Sequence, residues 1–362
     1  MPVGSTLLRV LLVVLLPLST VKAQLGPTQT RQLAPGVHVV LSDPMGRISD
    51  SNVLVIINDA DVLVVDANIL PSSARHVIGE IRKLTDRPVR YLINTHWHSD
   101  HHYGNAVYQA EFPGVEIVQH RSTRDDVIAR DVPTVKENVE VEYPKIIASY
   151  KQALVDGKLS DGREITPDRR KTVNELLVIY ESFVREMAVT PVVPGTLVIE
   201  DSLVLHRGAR RIVIKYLGRG NTAGDLVVHL PVEGIIATGD LVVHPVPFGY
   251  FSHLGDWSTT LRLLRTTGAT TIVPGHGPVL SDWSFTDQLI QLIEYTWAQV
   301  RAAVASGADL ESTKKRVNLD ALRDRFTGTD ARLRSSFANN FAGPAVEAAF
   351  SELRPDSVAR RP

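Results

Sequence analysis

The chain has 362 residues, of which 44% are hydrophobic, 22% are charged and none is cysteine. This length and composition indicate one large domain or two modest ones with a substantial apolar core. The formal net charge of −1 gives no electrostatic reason to expect nucleic acid as a partner. The lack of cysteine excludes disulfides and thiolate metal ligands.

The first 23 residues have the pattern of a signal peptide. Arg9 precedes an apolar run at 10–18, and Val21 and Ala23 stand at the −3 and −1 positions of a cleavage site. The run is short for a membrane span and contains Pro17, and a buried N-terminal helix is the alternative interpretation. We therefore expect an exported protein, periplasmic or secreted, with no stable membrane span after cleavage.

Strands dominate the predicted elements of the first half. Short apolar or alternating runs bounded by turn residues predict strands at 37–41, 52–57, 62–66, 89–93 and 116–119. A helix is expected after the third of these strands, capped by Ser72 or Ser73. Charged sequence with helical spacing at about 134–190 predicts an inserted helical hairpin.

The second half returns to strands and ends in helices. Strands are predicted at 196–199, 203–207, 211–216, 225–230, 234–238 and 271–273. Helices are predicted at 258–267 and 285–305, with short helices beyond 318. Two β-rich halves with helices outside them indicate an α/β fold of two packed sheets. The domain prediction is a signal peptide at 1–23, one domain at 30–285 and a C-terminal helical extension at 286–362.

Potential metal ligands are concentrated just after the strand at 89–93. His96 and His98 are two residues apart at a strand end and are expected to project in one direction, while Asp100 and His101 follow on a loop. His102 is expected to point elsewhere. Imidazole and carboxylate ligands suit zinc, with iron or manganese as alternatives.

This His-x-His-x-Asp-His pattern resembles the signature of the metallo-β-lactamase superfamily, and the resemblance extends over roughly residues 35–280. Thr238-Gly239-Asp240 and Pro274-Gly275-His276 each follow a predicted strand, in the order that this family has. The resemblance implies an αβ/βα sandwich of two mixed β-sheets flanked by helices, with a dinuclear zinc site. It also implies that Asp240 bridges the two metals and that His276 binds the second one.

Asn221 departs from the family pattern, because it stands where the third histidine of the first metal would be. Three arrangements are open. Asn221 binds weakly while His96, His98 and Asp240 hold the first metal; another histidine substitutes; or the first site is partly empty. Asn221 is also expected to organise its loop, since Asn-Thr beside glycines favours a turn.

The resemblance implies an exported zinc-dependent hydrolase in which a metal-activated hydroxide attacks a small-molecule substrate. Two zinc ions are favoured and one is the alternative; Asp100 would bind the second metal and orient the nucleophile. A β-lactam or lactone hydrolase is the specific alternative, and a degenerate-site metal-binding or scaffold protein is the non-enzymatic one. Electron transfer or oxygen chemistry with iron is a third alternative.

The candidate substrate-facing residues are His120, His244, Tyr250 and His253, with loop packing as the competing interpretation. The sequence leaves the substrate and the oligomeric state open.

Overall fold

The computed structural model describes residues 29–42, 50–159 and 161–354. Within these residues, twelve strands form one seven-stranded and one five-stranded sheet. The predicted signal peptide lies outside the described residues. None of the described helices combines the length and the apolar character that a membrane crossing needs.

The first sheet contains seven strands in chain order. They are β1 (Gln29–Ala34), β2 (Val37–Leu41), β3 (Val53–Ile57), β4 (Val62–Val65), β5 (Val89–Ile93), β6 (Glu116–His120) and β7 (Leu197–Ile199). β1 to β4 pair antiparallel and β4 to β7 pair parallel. Because parallel strands end at the same edge of a sheet, the segments after β4, β5 and β6 meet there.

The second sheet has the order β12-β11-β10-β9-β8. Its strands are β8 (Ser202–Arg207), β9 (Arg210–Tyr216), β10 (Leu226–Leu230), β11 (Ile235–Val243) and β12 (Thr271–His276). β11 and β12 are parallel, and their register shifts on both sides of Gly239. β11 is longer than predicted, because the strand continues past this irregularity to Val243.

In chain order, the helices of the first half lie in the connections that follow β4, β5 and β6. They are α1 (Pro71–Leu84), α2 (Ser99–His102), α3 (Asn105–Glu111), α4 (Arg121–Asp126), α5 (Val132–Glu137), α6 (Tyr143–Asp156) and α7 (Pro167–Met187). π-helical turns at Val127–Asp131 and Asn138–Glu142 join α4, α5 and α6. The helical insertion thus spans 121–187, beginning earlier than the predicted residue 134, and α6 and α7 form the expected hairpin.

Two local predictions were wrong. α1 begins at Pro71, whose fixed φ suits the first turn of a helix, and Leu70 precedes it without a side-chain cap. Ser73 lies inside the helix, where its hydroxyl donates to Asp50 Oδ2 at 2.7 Å. Asp100 and His101 lie on the single helical turn α2 and not on a loop, because the chain after His98 turns back at once toward α3.

The helices of the second half cover the outer face of the second sheet. They are α8 (Leu254–Arg265), α9 (Ser284–Ala305), α10 (Leu310–Arg316), α11 (Asp320–Thr327), α12 (Ala331–Ser336) and α13 (Gly343–Leu353), with a π-helical turn at Phe337–Ala342 between the last two. The C-terminal extension therefore begins at Ser284, close to the predicted residue 286.

The core has a layered arrangement that confirms the predicted αβ/βα sandwich. Apolar residues of both sheets, such as Val65 and Ile214, share one buried cluster between the sheets. A second cluster lies between the first sheet and α1 and α3, and a third joins the second sheet to α8, α9 and the C-terminal extension. Burial on both faces explains why β4 and β11 read as continuous buried runs rather than alternating ones.

Candidate metal centre and cavity

Two groups of three side chains at the sheet edge have the spacing of metal ligands. One group is His96, His98 and Asp240, and the other is Asp100, His101 and His276. Within each group the ligand atoms all lie within 4.8 Å of one another. The first cluster of the sequence, the Gly-Asp after β11 and the Pro-Gly-His of β12 thus meet in space. The six candidate ligands other than Asn221 thus form two adjoining groups.

Asp240 stands between the two groups. Its Oδ2 lies 3.8 Å from His96 Nε2 in the first group. Its Oδ1 lies 3.3 Å from His101 Nε2 and 3.6 Å from His276 Nε2 in the second. A carboxylate that presents one oxygen to each group has the geometry of a bridging ligand, the role that the family resemblance implies for this residue.

The donor atoms of these groups fit a cation. His98 Nε2, His101 Nε2 and Asp240 Oδ1 are buried and have no hydrogen-bond partner among the described residues. Buried polar atoms are costly when unpaired, and imidazole nitrogen and carboxylate oxygen are the atoms that bind divalent metals. The residues therefore fit one or two divalent ions.

The electrostatics of the first group favour neutral imidazoles. Burial lowers the pKa of His96 well below its usual value, and the neighbouring histidines add to the effect. Burial also lowers the pKa of His98 to about 4, although Asp240 and Asp100 oppose the shift. Neutral imidazole has the free lone pair that a metal requires.

The second group has the opposite balance. Burial lowers the pKa of His101, but Asp66, Asp100 and Asp240 outweigh it, so the net shift is upward. Burial raises the pKa of Asp100, but His101 and His276 outweigh it and hold the pKa below its usual range. Convergent carboxylates around one imidazole provide the negative charge that a divalent ion would neutralise.

Asp66 orients a ligand, and the sequence analysis did not single it out. Its Oδ2 lies 2.8 Å from His101 Nδ1, and its Oδ1 accepts a hydrogen bond from the Thr95 backbone N at 2.8 Å. Because a carboxylate can only accept, Nδ1 carries the proton and Nε2 is free for a metal. An acidic residue at the end of the fully buried strand β4 was the available signal.

Gly275 is required by the packing of Asp240. A Cβ at position 275 would lie 1.9 Å from Asp240 Oδ1. The glycine of the Pro-Gly-His segment therefore lets β12 approach the carboxylate closely enough for His276 to join the second group. The motif is thus a packing requirement as well as a source of a ligand.

Asn221 is fully buried, and the two polar atoms of its amide have different surroundings. Its Nδ2 donates to the Phe248 backbone O at 2.6 Å, and its Oδ1 is buried without a hydrogen-bond partner in the described part of the chain. The first atom organises a neighbouring loop, as the sequence suggested. The second is a free amide oxygen, which favours the arrangement in which Asn221 is a weak ligand of the first metal.

A cavity of about 580 Å³ opens beside the two groups. His98, Asp100, Asp240 and His276 contribute to its floor. Its other walls come from several parts of the chain, namely Asp50, Ile69, Trp97, Ser99, Asp131, Val243, His244, Pro245, Val246, Phe248, Tyr250, Phe251, Leu333, Ser336 and Asn340. The volume suits a small-molecule ligand.

The candidate substrate-facing residues divide into two pairs. His244 and Tyr250 line the cavity. His120 and His253 are not among the lining residues. His120 stacks on Tyr216 with ring centroids 4.2 Å apart, and the backbone O of His253 accepts from Trp257 N at the start of α8. The geometry brings only the first pair to the metal centre.

Several wall residues were outside the predicted set. Trp97 and Phe251 contact each other with ring centroids 5.1 Å apart, and Asp131 comes from the helical insertion. Ser336 and Asn340 come from the C-terminal extension. Asp131, Ser336 and Asn340 have no motif around them, and they reach the cavity only because helical segments far from the ligands in the chain pack beside it.

The metallo-beta-lactamase superfamily profile matches residues 46–276, which is more than half of the chain. The matched range includes the six residues of the two ligand groups and the helical insertion. A search of curated proteins found no match to this chain.

Solved structures with a similar fold include two kinds of enzyme. A metallo-beta-lactamase from Pontibacter korlensis has a TM-score of 0.50 and 15% identity, covering 74% of this chain and 99% of its own. The stereoselective inverting sec-alkylsulfatase Pisa1 from Pseudomonas sp. has a TM-score of 0.59 and 10% identity, covering 92% of this chain and 52% of its own. At these identities the similarity concerns the fold alone.

Proposed function

The chain belongs to the metallo-β-lactamase superfamily, and from that premise we propose that it is an exported zinc-dependent hydrolase with two metal ions in one site. The substrate is a small molecule. One observation carries the proposal: two three-residue ligand groups share Asp240 as a bridge and border one cavity of about 580 Å³.

Each of the two ligand groups would hold one metal ion. His96, His98 and Asp240 would hold one ion, with Asn221 as a weak additional ligand, and Asp100, His101 and His276 would hold the other with Asp240. Bound zinc supplies a Lewis acid for the scissile group and lowers the pKa of a coordinated water. Asp100, whose Oδ2 lies 2.9 Å from His276 Nε2, would orient the attacking group from the second site.

The cavity walls support a small substrate with an apolar part. Phe248, Phe251 and Trp97 offer aromatic surface around His98, and the His98 and Phe248 ring centroids lie 5.2 Å apart. Aromatic surface of this kind excludes water and strengthens electrostatic interactions at the reacting centre. Export rests on the signal-peptide pattern of residues 1–23.

The first experiment quantifies metal in protein purified without chelator and measures turnover of ester, lactone, nitrocefin and phosphodiester substrates. Two metal ions per chain together with hydrolysis of any of these substrates would support the proposal. A folded chain that binds no zinc at physiological concentration would overturn it and favour a scaffold role. Hydrolysis confined to nitrocefin or to the lactone would select the β-lactam or lactone alternative.

The substitution Asn221→His tests the first site. A histidine ring can donate from Nδ1 to the Phe248 carbonyl and offer Nε2 to the metal, so it keeps the loop contact while adding a stronger ligand. We expect the variant to bind the first ion more tightly. Equal metal content in both proteins at limiting zinc would show that Asn221 does not weaken the native site.

The scaffold alternative is favoured by the same residue. An amide oxygen in place of an imidazole nitrogen lowers the affinity of the first group for zinc. A chain that takes up one ion in the second group and hydrolyses none of the substrates would match this alternative.

A further inference from the structure

The helical insertion contacts the metal-binding segment, defined here as residues 95–102, at two residues, Trp97 and His102. The guanidinium carbon of Arg130 lies 5.4 Å from the centre of the Trp97 ring. Trp97 stands between His96 and His98 in the sequence. Asp131 Oδ2 lies 2.5 Å from His102 Nε2, directly after His101. Both contacts come from one π-helical turn, Val127–Asp131. Such turns are frequent at functional sites.

The contact between Asp131 and His102 is buried. The exposed fraction is 5% for Asp131 and zero for His102. Because a carboxylate only accepts, the Nε2–H of His102 must donate to it. His102 Nδ1 has no hydrogen-bond partner among the described residues, so Asp131 is the polar anchor of this ring. A charge-assisted hydrogen bond in a buried place is strong and directional.

α2 needs an anchor of this kind. The helix consists of the four residues Ser99–His102, and a single turn has little stability of its own because helix nucleation is unfavourable. It nevertheless places Asp100 and His101, two of the three ligands of the second group. Its C-terminal residue is held by the insertion. The orientation of two ligands therefore depends on a contact with an element far away in the chain.

Packing next to this contact fixes the insertion on the same region. Tyr103, which follows α2, packs in one apolar cluster with Val135, Phe183 and Met187 of the insertion. This cluster attaches the insertion, whereas the hydrogen bond from His102 to Asp131 sets the direction of the His102 ring; Asp131 also interacts with the Tyr103 side chain. The two contributions can be separated by substitution.

We propose that Asp131 is a positioning residue for the second metal site, acting through His102 on α2, so that the helical insertion determines the affinity of that site. The inference rests on the proposed metal-dependent function. It assigns a role to the insertion and to the one histidine of the cluster, His102, that is not itself among the metal ligands. Asp131 also lines the cavity, so the same residue joins the metal site to the substrate-facing wall.

Zinc affinity of metal-stripped and reloaded protein, measured by competition with a chromogenic chelator, tests the proposal. Asp131→Leu removes the hydrogen bond from the insertion, and His102→Phe removes it from α2 while keeping a ring. Each should weaken the binding of the second zinc ion by about tenfold, the lower end of the range for residues that orient metal ligands. The double variant should bind zinc no more weakly than Asp131→Leu alone, because Asp131→Leu already removes the hydrogen bond that His102→Phe removes. Asp131→Asn keeps an acceptor and should recover part of the affinity.

Two controls separate positioning from simple loss of structure. Asp125→Asn changes an exposed acid on the same insertion and should bind zinc like wild type. Phe183→Leu loosens the apolar cluster and should lower the melting temperature while leaving zinc affinity unchanged. If Asp131→Leu does not fold, His102→Phe and Asp131→Asn carry the measurement.

The possible results have different consequences. Unchanged zinc affinity in folded Asp131→Leu or His102→Phe would overturn the positioning role while leaving the proposed function intact. Weakened zinc binding in Phe183→Leu, equal to that in His102→Phe, would also overturn it, because general attachment of the insertion would then be sufficient. A wild-type chain that binds no zinc would overturn both proposals.

Discussion

The floor and the walls of the cavity are built in different ways. The floor consists of ligands at the ends of central strands, where two sheets and close backbone approaches fix each side chain. Gly275 and Asp66 illustrate this, since one admits the carboxylate of Asp240 and the other fixes the His101 ring. Most of the walls come from the segment after β11, from the helical insertion and from the C-terminal extension, with a few residues of the first half such as Asp50.

Under the proposed function, this difference predicts that floor residues affect the reaction and wall residues affect selectivity. The candidate ligands depend on short contacts with neighbours at the sheet edge, so we expect a change there to abolish the proposed activity. The walls depend on helices that can vary while the sheets remain, as expected of a fold that supports many reactions through its peripheral segments. The residues 131 and 336 belong to helical segments that lie far apart in the chain, yet both border one cavity. Four substitutions test this division.

The largest effect is expected at the bridge. Asp240→Asn replaces a carboxylate that serves both ligand groups, so both ions should bind weakly. Loss of several kcal/mol of charge stabilisation corresponds to a fall in kcat/KM on the order of 10³-fold. Metal content and kcat/KM measured together provide the check. Asp86→Asn, at an exposed position, serves as control, and full turnover by metal-free Asp240→Asn would contradict the whole assignment.

A smaller effect is expected behind the ligands. Asp66→Asn should weaken zinc binding by roughly 10–100-fold, because an amide can donate to His101 Nδ1 and favour the tautomer whose Nε2 carries the proton. Chelator competition measures the change. Affinity equal to wild type would mean that the strand ends hold His101 without this hydrogen bond.

A change in the wall should alter selectivity and leave the metals in place. Ser336→Trp fills the cavity from the C-terminal extension, which contacts the opposite loop through the hydrogen bond from Gly249 N to Asn340 O at 2.7 Å. We expect kcat/KM for bulky substrates to fall by about tenfold relative to small ones, with unchanged zinc content. An equal loss for large and small substrates would indicate that the extension does not select by size.

The smallest effect concerns stability against pH. Burial raises the pKa of Asp50 to about 6, although hydrogen bonds from Ser73 and Ile69 oppose the shift. The folded state therefore binds a proton that the unfolded state has lost between pH 4 and 6, so this contribution to stability is present at low pH and disappears as the pH rises through 6. Asp50→Asn should gain stability relative to wild type as pH rises from 4.5 to 7.5, by on the order of 2 kcal/mol.

Urea unfolding of the metal-free proteins at the two pH values measures this difference. Metal-free protein is needed because Asp100 is close enough to influence Asp50. A constant difference between wild type and variant would show that Asp50 does not titrate in this range. This experiment therefore tests whether a wall residue contributes to the stability of the fold as well as to the lining of the cavity.

The sequence predicted the floor well because its information is local. His96, His98, Asp100 and His101 lie within six residues, and Asp240 and His276 follow recognisable strands. The order of short apolar runs also predicted two sheets and nearly all of their strands. β1 was missed, because Gln29–Ala34 is polar and largely exposed at the sheet edge, without the apolar pattern on which strand prediction depends.

The walls could be decided only by the tertiary structure. Asp131 and Ser336 carry no motif, and their functions depend on which helix packs beside the sheet edge. The cap expected at Ser72 or Ser73 failed for a related reason, since Pro71 begins the helix and Ser73 bonds to Asp50 across the chain. The candidate ligands stand in short motifs that can be recognised in the sequence, whereas a cavity wall is a property of distant segments brought together by burial of apolar surface. The sequence therefore determined the chemistry that the site can hold, and the packing of the insertion and extension decided the cavity in which that chemistry would act.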